Sequence, residues 1–292
     1  MAESKPNKTR RKAENSPKIK GKKFLIPAVI LFVWWINNYT LKTVSEEIKS
    51  PKISNPVNIT VLSDYHIHNF SVPRKTVLDS IGKTSPDAVM VLGDMHSRNS
   101  SESQVNMAVE FMADIAAEYD VYFVPGEHDN SAEYLSSLEE KGVNVLCYGE
   151  RNVVINGNNI RIIGIDNVHY TSTFDLRKEY TLYDDSYNIL LAHLPNYEKF
   201  AVFGADLTLC ADTHGGMFRL PFIGPVYDTQ NRIKLPTLRE NSLPLYDKGW
   251  YDYDGGSMFI TSGIGDSPAP VRFMNRPEIV TIEVTSKNLP HD

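Results

Sequence analysis

The stretch VNITVLSDYH, residues 57–66, decides the fold of this chain. It is a run of β-branched and aliphatic residues that ends in Asp64 and His66, as expected of a buried strand with ligating side chains at its carboxyl end. Four further stretches repeat the pattern: DAVMVLGD (87–94), VYFVPGEHD (121–129), YNILLAH (187–193) and LTLCADTH (207–214). Since ligands gather at the carboxyl ends of strands in α/β sheets, the five stretches predict one metal site assembled from the whole domain.

The segments between these strands predict the fold class. Residues 72–84, 104–120 and 131–142 carry apolar residues at helical spacing, so the first part reads as alternating strands and helices with a parallel sheet. The second part contains strands with short connections, among them NVLCY (144–148) and EIVTIEV (278–284), and a hairpin about residues 156–159. We therefore expect an α/β fold in which two mixed sheets pack together with helices outside.

Charge divides the chain into a basic tail and an acidic body. The sequence has 292 residues, with 30 Lys or Arg and 36 Asp or Glu. Residues 1–23 contain nine of the basic and two of the acidic residues, so the remainder has 21 and 34 and a net charge of −13. Because affinity for nucleic acid depends on basic surface, the acidic body argues against nucleic acid as a partner.

The apolar run FLIPAVILFVWWI, residues 24–36, follows the basic tail. Residues 24–41 carry no charge, which is about the minimum length for a membrane span, and the basic flank predicts a cytoplasmic tail. We expect an uncleaved signal-anchor, with a cleaved signal peptide and a buried helix as alternatives. The domains then are a cytoplasmic tail (1–23), a transmembrane helix (24–41), a linker (42–56) and an extracytoplasmic catalytic domain (57–292).

On these motifs the chain resembles the calcineurin-like metallophosphoesterase superfamily, in particular the membrane-anchored bacterial members described as YkuE-like or YaeI-like. The resemblance covers residues 57–285 and includes His193-Leu194-Pro195 and the segment TSGIGDSPAPVRFMNRPEI (261–279). It implies a four-layer α/β/β/α sandwich and a two-metal, metal-hydroxide mechanism for hydrolysis of phosphate mono- or diesters.

The resemblance also assigns roles to single residues. It implies that Asp64, His66 and His214 hold a first metal, and that Asp94 bridges to a second metal held by His193.

Three further residues take catalytic roles under the resemblance. His128 would assist the phosphoryl chemistry, and Asp129 would orient its ring. Arg98 stands where some relatives contact phosphate, although a solvated loop arginine is an equal alternative. His68, His96 and His169 also follow strand ends and are expected either to support the ligands or to face the substrate.

The chain departs from the family pattern at Glu127, Asp212 and Ser97, where relatives have Asn, His and Asp. Glu127 and Asp212 would both be ligands of the second metal, so two carboxylates replace an amide and an imidazole. Harder oxygen ligands favour Mn²⁺ or Mg²⁺, with Ca²⁺ possible, over Zn²⁺ or Fe. We expect two divalent ions, Mn²⁺ first, while decay of the second site stays open.

The sequence thus predicts a membrane-anchored, metal-dependent phosphoesterase that acts on a phosphorylated small molecule, lipid or cell-wall substrate. The alternative is a catalytically silent ectodomain that binds a metal or a phosphorylated ligand through a divergent second site.

Overall fold

The computed structural model describes residues 22–68, 71–166, 174–222, 224–228, 232–233, 246–267 and 269–287. The chain divides into a small unit that ends at Val33 and a main unit that begins at Trp34. The N-terminal helix α1 covers Lys22–Tyr39, and its last turns, from Trp34 onward, belong to the main unit.

The predicted membrane span over residues 24–41 is not supported. A helix forms there, but within the described ranges no helix is long and apolar enough to cross a membrane.

The other elements follow α1 in the chain. They are β1 (Lys42–Ser50), β2 (Val57–Leu62), α2 (Arg74–Thr84), β3 (Ala88–Val91), α3 (Glu102–Ala116), β4 (Val121–Phe123), α4 (Ala132–Glu140), β5 (Asn144–Val145), β6 (Tyr148–Ile155), β7 (Asn158–Ile165), α5 (Leu176–Glu179), β8 (Tyr187–Ala192), α6 (Tyr197–Phe203), β9 (Leu207–Cys210), β10 (Phe218–Leu220), β11 (Gly224–Asp228), β12 (Arg232–Ile233), β13 (Gly249–Tyr253), β14 (Gly256–Ile260) and β15 (Glu278–Ser286).

The three predicted crossover helices are α2, α3 and α4. Ser101 begins α3 with a capping box, in which its hydroxyl accepts from the Gln104 N–H and the Gln104 side chain accepts from the Ser101 N–H. Ser131 caps α4 by accepting from the Tyr134 N–H at 3.3 Å. These caps satisfy N–H groups that the first turn of a helix leaves unpaired, and they place both helix starts just beyond strand ends that carry site residues.

Two mixed six-stranded sheets form the body of the protein, as predicted. The first has the order β1-β15-β2-β3-β4-β5, with β2 to β5 parallel and β15 antiparallel to β2. The second has the order β13-β14-β9-β8-β7-β6, with parallel strands at its centre and an antiparallel hairpin at each edge. A small antiparallel sheet, β10-β11-β12, comes after β9 in the chain.

Three apolar clusters separate the layers. One lies between the sheets and joins residues such as Ile59 and Met90 to Ile189 and Leu209. A second packs α2, α3 and α4 on the outer face of the first sheet, and a third packs α5 and α6 on the second. The described residues therefore form the four layers α/β/β/α.

The structure corrects the predicted boundaries in two places. The predicted linker begins with β1, an edge strand parallel to β15, because Val44 and Ile48 alternate with charged residues and pack on the inter-sheet core. Two stretches predicted for the second sheet contribute to the first: residues 144–145 form β5 and residues 278–286 form β15, whereas Tyr148 begins β6 of the second sheet. Their neighbours are set by long-range pairing, which local sequence does not encode.

Candidate metal centre

Five of the predicted ligands meet because their strands are adjacent in the two sheets. Asp64 and His66 follow β2 and Asp94 follows β3, while His193 follows β8 and His214 lies beyond β9. The parallel alignment of β2 with β3, and of β8 with β9, brings these carboxyl ends together. All five side chains are buried.

The backbone at the site is strained. Asp64, His66, Asp94, Asp212 and His214 have positive φ values of 48°, 44°, 56°, 67° and 48°. A non-glycine residue in the left-handed region costs of order 1–3 kcal/mol and persists where the surrounding structure enforces it. Such strain concentrates at functional sites, so five cases among seven predicted metal ligands mark this edge of the sheets as functional.

Two groups of potential ligands share one carboxylate. Asp64, His66 and His214 form one group, and Asp64, Asp94 and His193 form the other, each with ligand atoms within 4.8 Å of one another. Asp64 Oδ1 lies 3.6 Å from His214 Nε2 and 4.0 Å from His193 Nε2. Asp94 Oδ2 lies 3.5 Å from His193 Nε2 and 3.7 Å from His66 Nε2. Both carboxylates thus stand between the two groups.

Hydrogen bonds outside the centre orient its imidazoles. His193 Nδ1 donates to the Leu92 carbonyl, so Nε2 is the nitrogen that faces Asp64 and Asp94 and that can bind a cation once it has lost its proton. His66 Nδ1 lies 3.0 Å from Ser97 Oγ, and the His66 ring stacks on His214 with centroids 5.3 Å apart. Ser97, which replaces a family aspartate, therefore holds a ligand ring in place.

Burial sets the protonation of the ligands. It raises the pKa of Asp64 to about 7, with His193 opposing and Asp94 adding to the rise. It lowers the pKa of His66 to about 4 and that of His214 well below its ordinary value, so both rings are neutral at pH 7. Burial also opposes charge on Asp94, yet His193, His66 and His128 hold its pKa below the usual range.

The centre fits divalent cations. Asp64 Oδ1 and His193 Nε2 are buried and find no hydrogen-bond partner among the described residues, which is costly for polar atoms unless a cation takes the place of a donor. Burial lowers the pKa of His193, but the facing carboxylates Asp94 and Asp212 raise it well above its ordinary value, so this pocket favours a positive charge. Carboxylate oxygens with neutral imidazoles are the ligands of Mn²⁺, Zn²⁺ and related ions.

The structure corrects the role of Asp129. This buried carboxylate accepts from the Gly126 N–H at 2.7 Å and from the Met95 N–H at 2.8 Å, and in the part of the chain that the structure describes His128 Nδ1 has no hydrogen-bond partner. Asp129 therefore ties the loop after β4 to the loop after β3 and does not orient His128. His128 itself lies at the centre: its Nε2 is 3.8 Å from Asp94 Oδ2, and its side chain is 26 % exposed.

The two departures at the second group differ in position. Asp212 Oδ1 lies 3.6 Å from His193 Nε2, beside the second group of Asp64, Asp94 and His193, and its role as a ligand stays a prediction. Glu127 is exposed and, among the residues that the structure describes, belongs to neither group of ligands, so its predicted role as a ligand finds no support in this geometry. Asp64, Asp94 and Asp212 already lie close together, and a fourth carboxylate would add electrostatic repulsion at this buried site. The Glu127 carboxylate is therefore more stable in water.

Several other predicted residues lie around the centre. Arg98 is exposed on a turn and belongs to neither group. His96 is buried against the Tyr134 ring, with centroids 4.7 Å apart, and His68 Nε2 lies 3.0 Å from Asp266 Oδ1. His169 lies outside the described residues.

The sequence did not predict the role of the loop after β14, which forms hydrogen bonds to the backbone of two ligands of the first group, Asp64 and His214. Arg272 is 1 % exposed, and its guanidinium donates to the carbonyls of Gly265 at 2.8 Å and Ser262 at 2.7 Å. Asn275 Nδ2 donates to the His214 carbonyl at 2.6 Å, and the Gly265 N–H donates to the Asp64 carbonyl at 2.6 Å. The only sequence signal was the resemblance of residues 261–279 to the closing segment of the family.

Known proteins resemble the chain over most of its length. The family model for the calcineurin-like phosphoesterases matches residues 57–216, more than half of the chain. An uncharacterized metallophosphoesterase of Bacillus subtilis, YkuE, is 25 % identical over 270 residues, which cover 87 % of this chain and 89 % of that protein. A putative metallophosphoesterase of Caenorhabditis elegans, F40B5.2, is 28 % identical over 80 % of this chain and 49 % of that protein, so the chain spans about half of its length.

Among solved structures, the phosphopantetheinyl hydrolase of Mycobacterium tuberculosis is similar with a TM-score of 0.41 and 12 % identity, over 71 % of this chain and 89 % of that one. The sequence match, the two mixed sheets and the ligand groups at their shared edge agree: the chain belongs to the calcineurin-like phosphoesterase family.

Proposed function

We propose that the chain hydrolyses phosphate mono- or diesters with two divalent cations, Mn²⁺ first among them. The observation that carries the proposal is the sharing of Asp64 between two buried groups of ligands, with Asp94 close to both. When bound, two such ions supply charge for the phosphoryl oxygens and activate water. His66, His193 and His214, together with Asp64 and Asp94, would hold them.

The chain's own residues have distinct tasks. Asp64 and Asp94 hold the two groups at a fixed separation, because Asp64 N–H donates to the Gly93 carbonyl at 2.9 Å and His66 N–H donates to the Asp94 carbonyl at 3.0 Å. His128 stands at the more open side of the centre and can donate a proton to the leaving oxygen or a hydrogen bond to the phosphoryl group. Its backbone N–H donates to Asp94 Oδ1 at 3.0 Å, which keeps the ring near the reacting group.

A matched pair of variants tests the proposal. Purified protein is assayed on p-nitrophenyl phosphate and bis-p-nitrophenyl phosphate with Mn²⁺, Mg²⁺, Zn²⁺ and Fe²⁺, and metal content is measured. Asp94→Asn is expected to lose activity and one metal per chain, while Glu127→Gln, which removes an exposed carboxylate, is expected to keep both. Two metals and near-normal turnover in Asp94→Asn contradict the assignment.

The second candidate is a catalytically silent binding domain. One observation favours it: Glu127 is exposed, so the second group consists of Asp64, Asp94 and His193 with Asp212 beside it. Stoichiometric metal binding without turnover of either aryl substrate under any of the four ions is the outcome that supports this candidate.

The substrate and the location of the protein stay predictions. A phosphorylated small molecule, lipid or cell-wall component is the expected substrate class, and the acidic composition still argues against nucleic acid. Protease treatment of intact cells tests the predicted extracytoplasmic location, since a protein that is digested only after lysis lies inside.

A further inference from the structure

A cavity of about 360 Å³ begins next to the metal centre and is lined by Tyr39, His66, His68, Ser97, Asp266 and Pro270. We call it the Tyr39 cavity. Its volume lies near the lower end of the range of ligand clefts, about 300–1,000 Å³.

The Tyr39 cavity shares one side chain with the metal centre. His66 Nε2 lies 3.7 Å from Asp94 Oδ2, and the opposite nitrogen, Nδ1, lies 3.0 Å from Ser97 Oγ, which lines the cavity. The cavity therefore begins one imidazole ring away from the ligand atoms. A group esterified to a phosphate at the metal centre is close enough to enter it.

The lining of the Tyr39 cavity contains a cluster of polar groups beside its apolar surface. His68 Nε2 lies 3.0 Å from Asp266 Oδ1, and the Asp266 side chain is 8 % exposed against 30 % for His68. Burial, and after it the charge of Asp266, raises the pKa of Tyr39, so the phenol keeps its proton and lies near that carboxylate. The hydroxyl residues Ser97 and Ser267 add donors and acceptors.

The wall that carries Tyr39 is fixed in place. Asn38 Oδ1 accepts from the Arg272 N–H at 2.8 Å, and Asn38 Nδ2 donates to the Arg272 carbonyl at 3.1 Å. Trp34 Nε1 donates to the Pro270 carbonyl at 2.7 Å. These three bonds join the last turns of α1 to the loop after β14, so the cavity is formed before any ligand binds.

We propose that the Tyr39 cavity binds the alcohol part of the substrate and that this alcohol is a neutral polyol, such as a glycerol or sugar unit. The inference rests on the proposed phosphoesterase function, since it places the phosphate at the metal centre. A polyol offers both donors and acceptors, and the cavity presents both through Tyr39, His68 and Asp266.

The charges of the cavity argue against the other classes of alcohol. A second anionic group would be repelled by the buried Asp266 carboxylate. A cation would compete with His68 for that same carboxylate. A purely apolar group would leave the buried Asp266 carboxylate and its polar neighbours without the hydrogen bonds that water supplies.

The test compares two phosphates that differ only in hydroxyl groups. Glycerol 1-phosphate and n-propyl phosphate are titrated into the Mn²⁺-loaded protein by calorimetry, and O-phosphoethanolamine serves as the cationic probe. Glycerol 1-phosphate is expected to bind about tenfold tighter than n-propyl phosphate, the effect of one or two hydrogen bonds. In Tyr39→Phe and Asp266→Asn this ratio is expected to fall below about threefold. Tyr183→Phe, a phenol outside the cavity that is 40 % exposed, is the matched control and keeps the wild-type ratio.

Equal binding of the two phosphates to wild-type protein overturns the inference, and this comparison does not depend on any variant folding. A ratio that survives in both variants overturns the assignment to this cavity, and tighter binding of O-phosphoethanolamine overturns the polyol class. Turnover of the aryl phosphates is measured separately. Its absence contradicts the proposed function, whereas a missing hydroxyl preference in an active enzyme contradicts only the present inference.

Discussion

Replacing Asp129 by Asn tests whether this carboxylate supports the backbone or orients His128. Both of its oxygens accept backbone N–H groups, from Gly126 at 2.7 Å and from Met95 at 2.8 Å. Asparagine keeps one acceptor and turns an NH₂ group toward the other N–H, which leaves a buried donor unpaired. That loss costs about 1–3 kcal/mol, and a hydrogen bond to a charged group contributes about 1.5–3.

Part of this cost is offset, because burial and then Asp94 raise the pKa of Asp129, so a neutral side chain is easier to bury than the carboxylate. We expect a net loss of about 2 to 3 kcal/mol in the free energy of unfolding. For a domain of this size, that lowers Tm by roughly 4–12 °C.

The assay is thermal unfolding of the metal-free protein, which separates stability from catalysis. Asp79→Asn, which removes an exposed carboxylate paired with Lys75 on α2, is the control and is expected to change the free energy of unfolding by less than about 0.5 kcal/mol. A Tm for Asp129→Asn within about 1 °C of wild type, together with a large loss of turnover, would refute the reasoning and return Asp129 to the role of orienting His128.

Three further predictions concern the centre. Gly126→Ala places a Cβ 2.1 Å from Asp94 Oδ1, so we expect about 1–3 kcal/mol of destabilisation and weaker metal binding. Gly149→Ala is the control: its Cβ would meet no atom of the described residues within 4 Å apart from its own chain neighbours, so stability and metal binding should stay unchanged. Thermal unfolding measures the stability, and calorimetry measures the metal binding. Since Asp64 must lose its proton to bind a cation and its pKa is raised to about 7, this proton alone should raise the apparent Kd for Mn²⁺ by about fivefold from pH 7 to pH 6 and have little effect above pH 8; a Kd that is flat between pH 6 and 7 contradicts this. His128→Ala should lower kcat by about 10² to 10⁴ with unchanged metal content, and a drop in metal stoichiometry would instead make His128 a ligand.

The fold was predictable where strands are buried on both faces. Runs such as 57–62 and 187–192 are continuously apolar, and the helices between the first strands have apolar stripes and good caps. β1 escaped prediction because an edge strand with one buried face needs only Val44 and Ile48 as apolar residues, and its charged partners resemble those of a linker. β15 was recognised as a strand but placed in the wrong sheet, because pairing over more than 200 residues leaves no local trace.

The positions of site residues were predictable where the ligating side chains directly follow a buried strand. Asp64, His66, Asp94, His193 and His214 converge as the rule for α/β sheets requires. The positions of other side chains were not predictable, because they depend on contacts between separate loops.

The Asp129 bond to the Met95 N–H and the buried guanidinium of Arg272 show this dependence. Neither residue type nor spacing indicated that Glu127 is exposed while Asp212 faces His193.

The positive φ values at the ligand residues lower the stability of the fold, whereas the side chains that these residues carry are needed for activity. At Asp212, with φ of 67° and a half-buried side chain, glycine would relieve the backbone at once. Asp212→Gly should therefore raise the thermal stability of the metal-free protein while it removes a carboxylate from beside His193. Under selection for heat resistance alone, substitutions of these ligand residues should be among the first to accumulate. A lineage that retains the residues must therefore be under selection for the activity of the centre.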